Sequence, residues 1–131
     1  MPYLIDSDYV IDYLTEEALA TDLLESLAQE PFFTSVMTYI EVFQGTLHAD
    51  SPISSQSKLS IFIEGAPILP VTKEIGERCA RLREVLWQQG KRSNRRAYDL
   101  VIAATALEHN LTLVTRNVSD YEDIPGLSLY R

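Results

Sequence analysis

Two hydrophobic patterns alternate along the chain. Short apolar runs occur at Tyr3-Leu4-Ile5, Phe32-Phe33-Thr34, Ile68-Leu69-Pro70-Val71, Leu111-Thr112-Leu113-Val114 and Leu127-Ser128-Leu129-Tyr130, and each predicts a strand. Between them, apolar residues recur every three or four positions, which predicts helices. Residues 15 to 29 carry Leu19, Leu23, Leu24 and Leu27 at that spacing. Ser35 predicts an N-cap for a helix with Val36, Ile40, Phe43 and Leu47 on one face. A weaker helix over 53 to 64 follows Ser51-Pro52. Thr72 predicts the cap of the clearest helix, with Ile75, Cys79, Leu82 and Leu86 on one side. In that helix Glu74–Arg78 and Glu77–Arg81 are spaced for i,i+4 pairs, and Gly90 is the expected stop. A last helix is expected from about Tyr98 to His109, ended by Asn110. Strands separated by helices need crossover connections, so the pattern predicts an α/β fold with a parallel sheet covered by helices on both faces.

Length and composition narrow this picture. A chain of 131 residues suits one domain over 1–131, and 46% hydrophobic with 23% charged residues is ordinary for a globular protein. The single Cys79 has no partner in the chain, which suits a reducing compartment. Met1-Pro2-Tyr3-Leu4-Ile5-Asp6 lacks a signal-peptide pattern and no apolar run is long enough to span a bilayer, so a cytoplasmic location off the membrane is expected.

The net charge of −8 is unevenly spread. Residues 1 to 57 hold ten acids and no Lys or Arg, whereas seven of the eleven bases lie between Arg78 and Arg96. A negative pocket attracts divalent cations, and these in turn make it hospitable to phosphate.

Open parallel sheets bind ligands beyond the carboxyl ends of their strands, so acids just after strands merit attention. Asp6 follows the first strand. Glu41 lies in the helix after the second, within an otherwise apolar stretch where a buried carboxylate would need a partner or a metal. Asp99 opens the last helix, and Asn117 and Asp120 follow the fourth strand. Asp8 reads either as the N-cap of a short helix from Tyr9 to Leu14 or as a supporting residue. Oxygen-only ligands suit Mg2+ or Mn2+. His48 and His109 have no partner at zinc-ligand spacing. Carboxylate-held Mg2+ is suited to phosphodiester hydrolysis. Each acid alone also has a structural reading, as a cap, a helix-dipole residue or a solvated charge.

These motifs resemble those of PIN-domain ribonucleases, in particular the VapC-type toxins of bacterial toxin–antitoxin pairs. Tyr3-Leu4-Ile5-Asp6-Ser7-Asp8-Tyr9-Val10-Ile11 resembles the family's opening. Thr34 to Gly45, with Ser35-Val36-Met37-Thr38 leading to Glu41, resembles its second motif. Asp99-Leu100-Val101-Ile102-Ala103-Ala104-Thr105-Ala106 and Leu111 to Tyr121, followed by Ile124-Pro125-Gly126-Leu127, resemble the third and fourth.

The resemblance spans the chain. It implies a three-layer α/β/α sandwich around a five-stranded parallel sheet, a homodimer, Mg2+- or Mn2+-dependent endoribonuclease activity, and a small antitoxin partner. It places Asp6, Glu41 and Asp99 at the acidic positions, with Asp120 or Asn117 as the fourth and Thr115 in support. Asp8 stands where Asn is common in the family. Arg92, Arg95 and Arg96 precede Asp99 and have three readings: RNA-backbone contacts, a solvated loop, or a patch for the antitoxin. RNA selection would fall mainly to residues 45 to 60 and 90 to 97.

Two other functions fit parts of the sequence. In a haloacid-dehalogenase-like phosphatase, Asp6 would attack phosphate and Asp8 act as acid, but Lys73 and Glu122-Asp123 fill the remaining roles poorly and Glu41 and Asp99 go unexplained. A non-catalytic RNA- or protein-binding module would tolerate substitution at every acid.

Overall fold

A computed structural model of the protein describes residues 1–91 and 96–131. Its strands are β1 (Tyr3–Ile5), β2 (Phe32–Ser35), β3 (Ile68–Leu69), β4 (Thr112–Val114) and β5 (Ser128–Leu129). Its helices are α1 (Ser7–Leu14), α2 (Ala18–Leu27), α3 (Val36–Leu47), α4 (Pro52–Gly65), α5 (Lys73–Gln88) and α6 (Ala97–Glu108). The strands form one sheet in the order β3-β2-β1-β4-β5, and every pairing is parallel.

Alternation along the central strands divides the core in two. Leu4 and Leu113 pack with Ile75, Leu82, Leu86, Leu100 and Ile102 of α5 and α6. Their neighbours Ile5 and Val114 pack with Val10, Leu24, Val42 and Leu59 of α1 to α4. The result is the expected α/β/α sandwich with a five-stranded parallel sheet. No described helix is long and apolar enough to cross a membrane.

Local chemistry explains most element ends. Ser35 and Thr72 cap α3 and α5 by accepting from Thr38 N and Ile75 N. Gly90 and Asn110 take positive φ after α5 and α6. Pro70 has no N–H to donate, so β3 stops at Leu69.

Several expectations need correction. Residues 15 to 29 do not form one helix from the start: Glu16 has φ of 63° and Glu17 caps α2 through Leu19 N and Ala20 N. Leu19 is exposed while Leu24 is buried. On α3 the buried stripe is Thr38, Val42 and Thr46, and Ile40, Phe43 and Leu47 face solvent. The two threonines can go inside because their hydroxyls find partners at Ser35 Oγ and the Phe43 carbonyl. On α5, Glu77 pairs with Lys73 and Arg78 reaches across to Glu108 of α6, in place of the expected Glu74–Arg78 and Glu77–Arg81 pairs. Packing of α5 on α6 brings that cross-helix acid within 3.0 Å.

Candidate active site

The site forms where β1 and β4 end side by side. Asp6 N donates to the Val114 carbonyl at 2.9 Å, continuing the ladder one residue past β1 and bringing Asp6 beside Thr115. Thr115 Oγ donates to Asp6 Oδ2 at 2.7 Å, and Ser7 N donates to Asp6 Oδ1 at 2.8 Å. Asp6, not Asp8, is therefore the N-cap of α1, which starts two residues earlier than expected. Only 5% of Asp6 is exposed. Burial pushes its carboxyl up to about 6; the Thr115 donor opposes this, Asp8 adds to it, the Ser7 N–H opposes, and Asp99 adds again.

Asp8 lies in the first turn of α1. One oxygen accepts from Tyr9 N at 2.7 Å; the other accepts from Arg116 N at 3.0 Å and Asn117 Nδ2 at 3.4 Å. Burial raises the Asp8 carboxyl above its ordinary range, against those backbone donors. Asn117 N also donates to Thr115 Oγ at 3.1 Å, so Asn117 braces Thr115 and Asp8 together. The Arg116 side chain turns away to ion-pair with Asp12 and Glu17 and sits 4.6 Å over the Tyr9 ring.

Glu41 joins from α3, where its Oε2 accepts from Ser7 Oγ at 3.1 Å. It is exposed, so the argument that a buried carboxylate needs compensation does not hold for it.

Asp99 is half-buried in the first turn of α6, and the buried Tyr121 hydroxyl donates to its Oδ1 at 3.1 Å. Burial raises the Asp99 carboxyl; the Tyr121 donor opposes, nearby Asp120 reinforces, and Arg96 opposes. Asp120 is exposed, in a 3-10 turn over Val118–Asp120. Asp6, Asp8 and Asp99 together help push the Tyr121 phenol far up, after burial as the main cause.

Arg96 precedes α6 and is committed to the 120s turn. It makes two hydrogen bonds to the Asp123 carboxylate, at 2.9 and 2.8 Å, and one to the Asp120 carbonyl at 2.7 Å. Lys91 joins Asp123 at 3.0 Å. Arg96 holds the Asp123 carboxyl down at about 2, with Lys91 assisting. Arg92 and Arg95 lie outside the described residues.

The chain thus brings Asp6 within electrostatic reach of Asp8 and Asp99, and Asp99 within reach of Asp120, with Glu41 tied in through Ser7. Among the described residues, no three His, Cys, Asp or Glu side chains stand close enough to share one ion as they are. The chemistry of the donor set nonetheless fits a hard divalent cation. It consists of carboxylate oxygens, and a 2+ charge would relieve both the burial cost and the repulsion from neighbouring acids that raise the Asp6 and Asp99 carboxyls. His48 and His109 occupy the C-caps of α3 and α6. The phosphatase assignment gains nothing here, since Lys73 pairs with Glu77 and Asp123 with Arg96 and Lys91.

The profile of the PIN domain family matches residues 3–126. The chain belongs to the PIN-domain family. This PIN domain is similar to Ribonuclease VapC2 of Rickettsia felis, 32% identical over 95 residues that make up 72% of this chain and 69% of the relative. Among solved structures it aligns with VapBC2 from Rickettsia felis bound to a promoter DNA fragment, with a TM-score of 0.86 and 27% identity over 99% of this chain and 98% of that one. VapBC-1 from nontypeable Haemophilus influenzae aligns with a TM-score of 0.83 and 25% identity, over 99% and 97% of the two chains.

Two features of this PIN domain's site were not drawn from sequence. Ser7 links Asp6 to Glu41, and Tyr121 reaches Asp99 from the core. Tyr121 lies in an acidic stretch with Asp120, Glu122 and Asp123, which gives no sign that its ring turns into the core. The residue is a tyrosine at the end of the fourth motif, and that hydroxyl was the available signal.

Proposed function

We propose that this PIN domain is an endoribonuclease that uses Mg2+ or Mn2+ to hydrolyse RNA phosphodiester bonds, and that it is the toxin of a toxin–antitoxin pair. The observation that carries the proposal is the gathering of Asp6, Asp8, Asp99 and Asp120 at the ends of β1, β4 and the start of α6, with Glu41 joined through Ser7. Asp6 and Asp99, raised by burial and by neighbouring acids, favour a state in which a cation is present.

Asp6 and Asp99 are the proposed ion-holding residues, and Glu41 and Asp120 complete the acidic ring. The ion would supply an activated water and neutralise charge on the phosphate. Thr115 fixes one oxygen of Asp6. Asn117 fixes Thr115 and Asp8, which keeps that corner from rearranging when the charge changes. Asp120 is the proposed fourth acid in preference to Asn117, whose amide is already engaged with Asp8.

Arg92 and Arg95 are proposed RNA-backbone contacts. Arg96 stands just before α6 and Asp99, and its ion pair with Asp123 makes it first a brace for the 120s turn. The two VapBC structures support a small antitoxin as cognate partner. A homodimer is proposed, and the exposed Ile40, Phe43 and Leu47 of α3 give an apolar face for a second copy. The proposed location is the cytoplasm.

The test is cleavage of total RNA by the purified chain. Internal cuts with Mg2+ or Mn2+, abolished by EDTA and restored by the metal, support the proposal. Intact RNA after incubation with folded protein and either metal contradicts it. For the toxin role, expression of the chain alone should arrest growth, and a co-expressed cognate antitoxin should relieve it.

A further inference from the structure

Tyr121 is 1% exposed, and its ring belongs to the core cluster formed with α5 and α6. Phenylalanine would fill that space as well. The hydroxyl adds a polar atom that must find a partner when buried, and the partner is the Asp99 carboxylate, 3.1 Å away. The segment holding the ring is itself fixed. Arg96 bonds the Asp120 carbonyl before Tyr121 and the Asp123 carboxylate after it. Within the turn, Tyr121 N donates to the Val118 carbonyl and Ile124 N to the Tyr121 carbonyl.

Arg96 and Asp99 lie one helical turn apart at the start of α6. The start of α6 and the 120s turn are therefore tied at two points, one an exposed-side ion pair and the other a buried phenol. A donor anchored in the core fixes the carboxyl plane of Asp99, which a solvent donor would leave free to turn. Hydrogen bonds of this kind orient metal-holding carboxylates, and losing one typically lowers metal affinity by about 10- to 100-fold.

We propose that Tyr121 is a positioning residue: its buried hydroxyl sets the rotation of the Asp99 carboxylate and so the retention of the divalent ion. The inference rests on the metal-nuclease reading. Tyr121 touches neither ion nor RNA in this role; it acts through Asp99.

The test uses the full chain, metal-free, with Mn2+ as probe. Mn2+ binding is measured by titration calorimetry, and RNA cleavage is measured against Mn2+ concentration. Tyr121→Phe keeps the ring and removes the hydroxyl. It should weaken Mn2+ binding by about tenfold or more. The Mn2+ concentration for half-maximal cleavage should rise by the same factor, with the KM for RNA unchanged. In an Asp99→Ala background, Tyr121→Phe should change Mn2+ affinity by less than about twofold, because the oxygen it orients is gone.

Mn2+ affinity of Tyr121→Phe within about twofold of wild type would overturn the proposal while leaving the nuclease reading in place, provided the wild type binds and cleaves. An undiminished effect in the Asp99→Ala background would overturn it too, by showing that the hydroxyl acts elsewhere. Wild-type protein that neither binds Mn2+ nor cleaves RNA would remove both.

Discussion

Asp6→Asn isolates the electrostatic strain of the site from its packing. The folded carboxyl titrates at about 6 and the ordinary value is 3.8, a gap of about two pH units. Below pH 3.8 both folded and unfolded chains hold the proton. Between the two values only the folded chain does, so stability falls as pH rises. Above about 6 neither is protonated, and the fold carries an ionised carboxylate that burial disfavours. The contribution of protonated Asp6 is thus fully present below the unfolded value and lost as pH rises through the folded one. At 1.36 kcal/mol per unit the whole effect is about 3 kcal/mol. Asparagine keeps the size and the acceptor for Thr115 and does not titrate. Urea unfolding in EDTA at pH 4 and pH 7.5 should therefore show the wild type losing about 2.4 kcal/mol relative to Asp6→Asn, the part of the effect that lies above pH 4. Taking the difference between the two proteins cancels the titration of groups that do not interact with Asp6, leaving Asp6 and its coupling to Asp8 and Asp99. Mg2+ at pH 7.5 should restore the wild type and leave the variant unaffected. A wild-type-to-variant difference that stays the same at both pH values would refute the reasoning.

Three further substitutions probe separate parts of the account. Thr115→Val removes the 2.7 Å donor to Asp6 and should cost about 1–3 kcal/mol at pH 7.5 by urea unfolding, together with most of the RNA cleavage. Asp123→Asn breaks the two-pronged contact with Arg96; the pair is partly exposed, so the loss should be about 1 kcal/mol at neutral pH. Because the Asp123 carboxyl is lowered to about 2, its contribution is present above pH 3.8 and lost as pH falls toward 2. Wild type and variant should converge in melting temperature near that limit. Phe43→Glu places a charge on the apolar face of α3 and should convert a dimer to a folded monomer in light scattering at micromolar concentration.

The layers of the fold were legible because its signals are local. Each apolar run fell on a strand, and Ser35, Thr72, Gly90 and Asn110 marked helix ends through their own side chains or φ angles. Which face of a helix goes inside is not local. The α3 sequence is apolar nearly all round, and the choice of Thr38, Val42 and Thr46 over Ile40, Phe43 and Leu47 depends on the neighbours at the sheet and α1. The same limit affected Glu41, which looked buried among apolar residues and instead meets solvent beside Ser7. Asp6 and Asp99 were readable from their places after a strand and at a helix start. The hydroxyl of Tyr121 was not, since a link spanning 22 residues from the core leaves no spacing pattern.

The central claim is that these acids hold a metal that cleaves RNA, and the most direct test compares wild type with Asp6→Asn and Asp99→Asn on one RNA substrate in Mg2+. The account predicts cleavage by the wild type, loss of at least about a hundredfold in rate for each variant, and the same oligomeric state for all three. Either folded variant cleaving at the wild-type rate would contradict it.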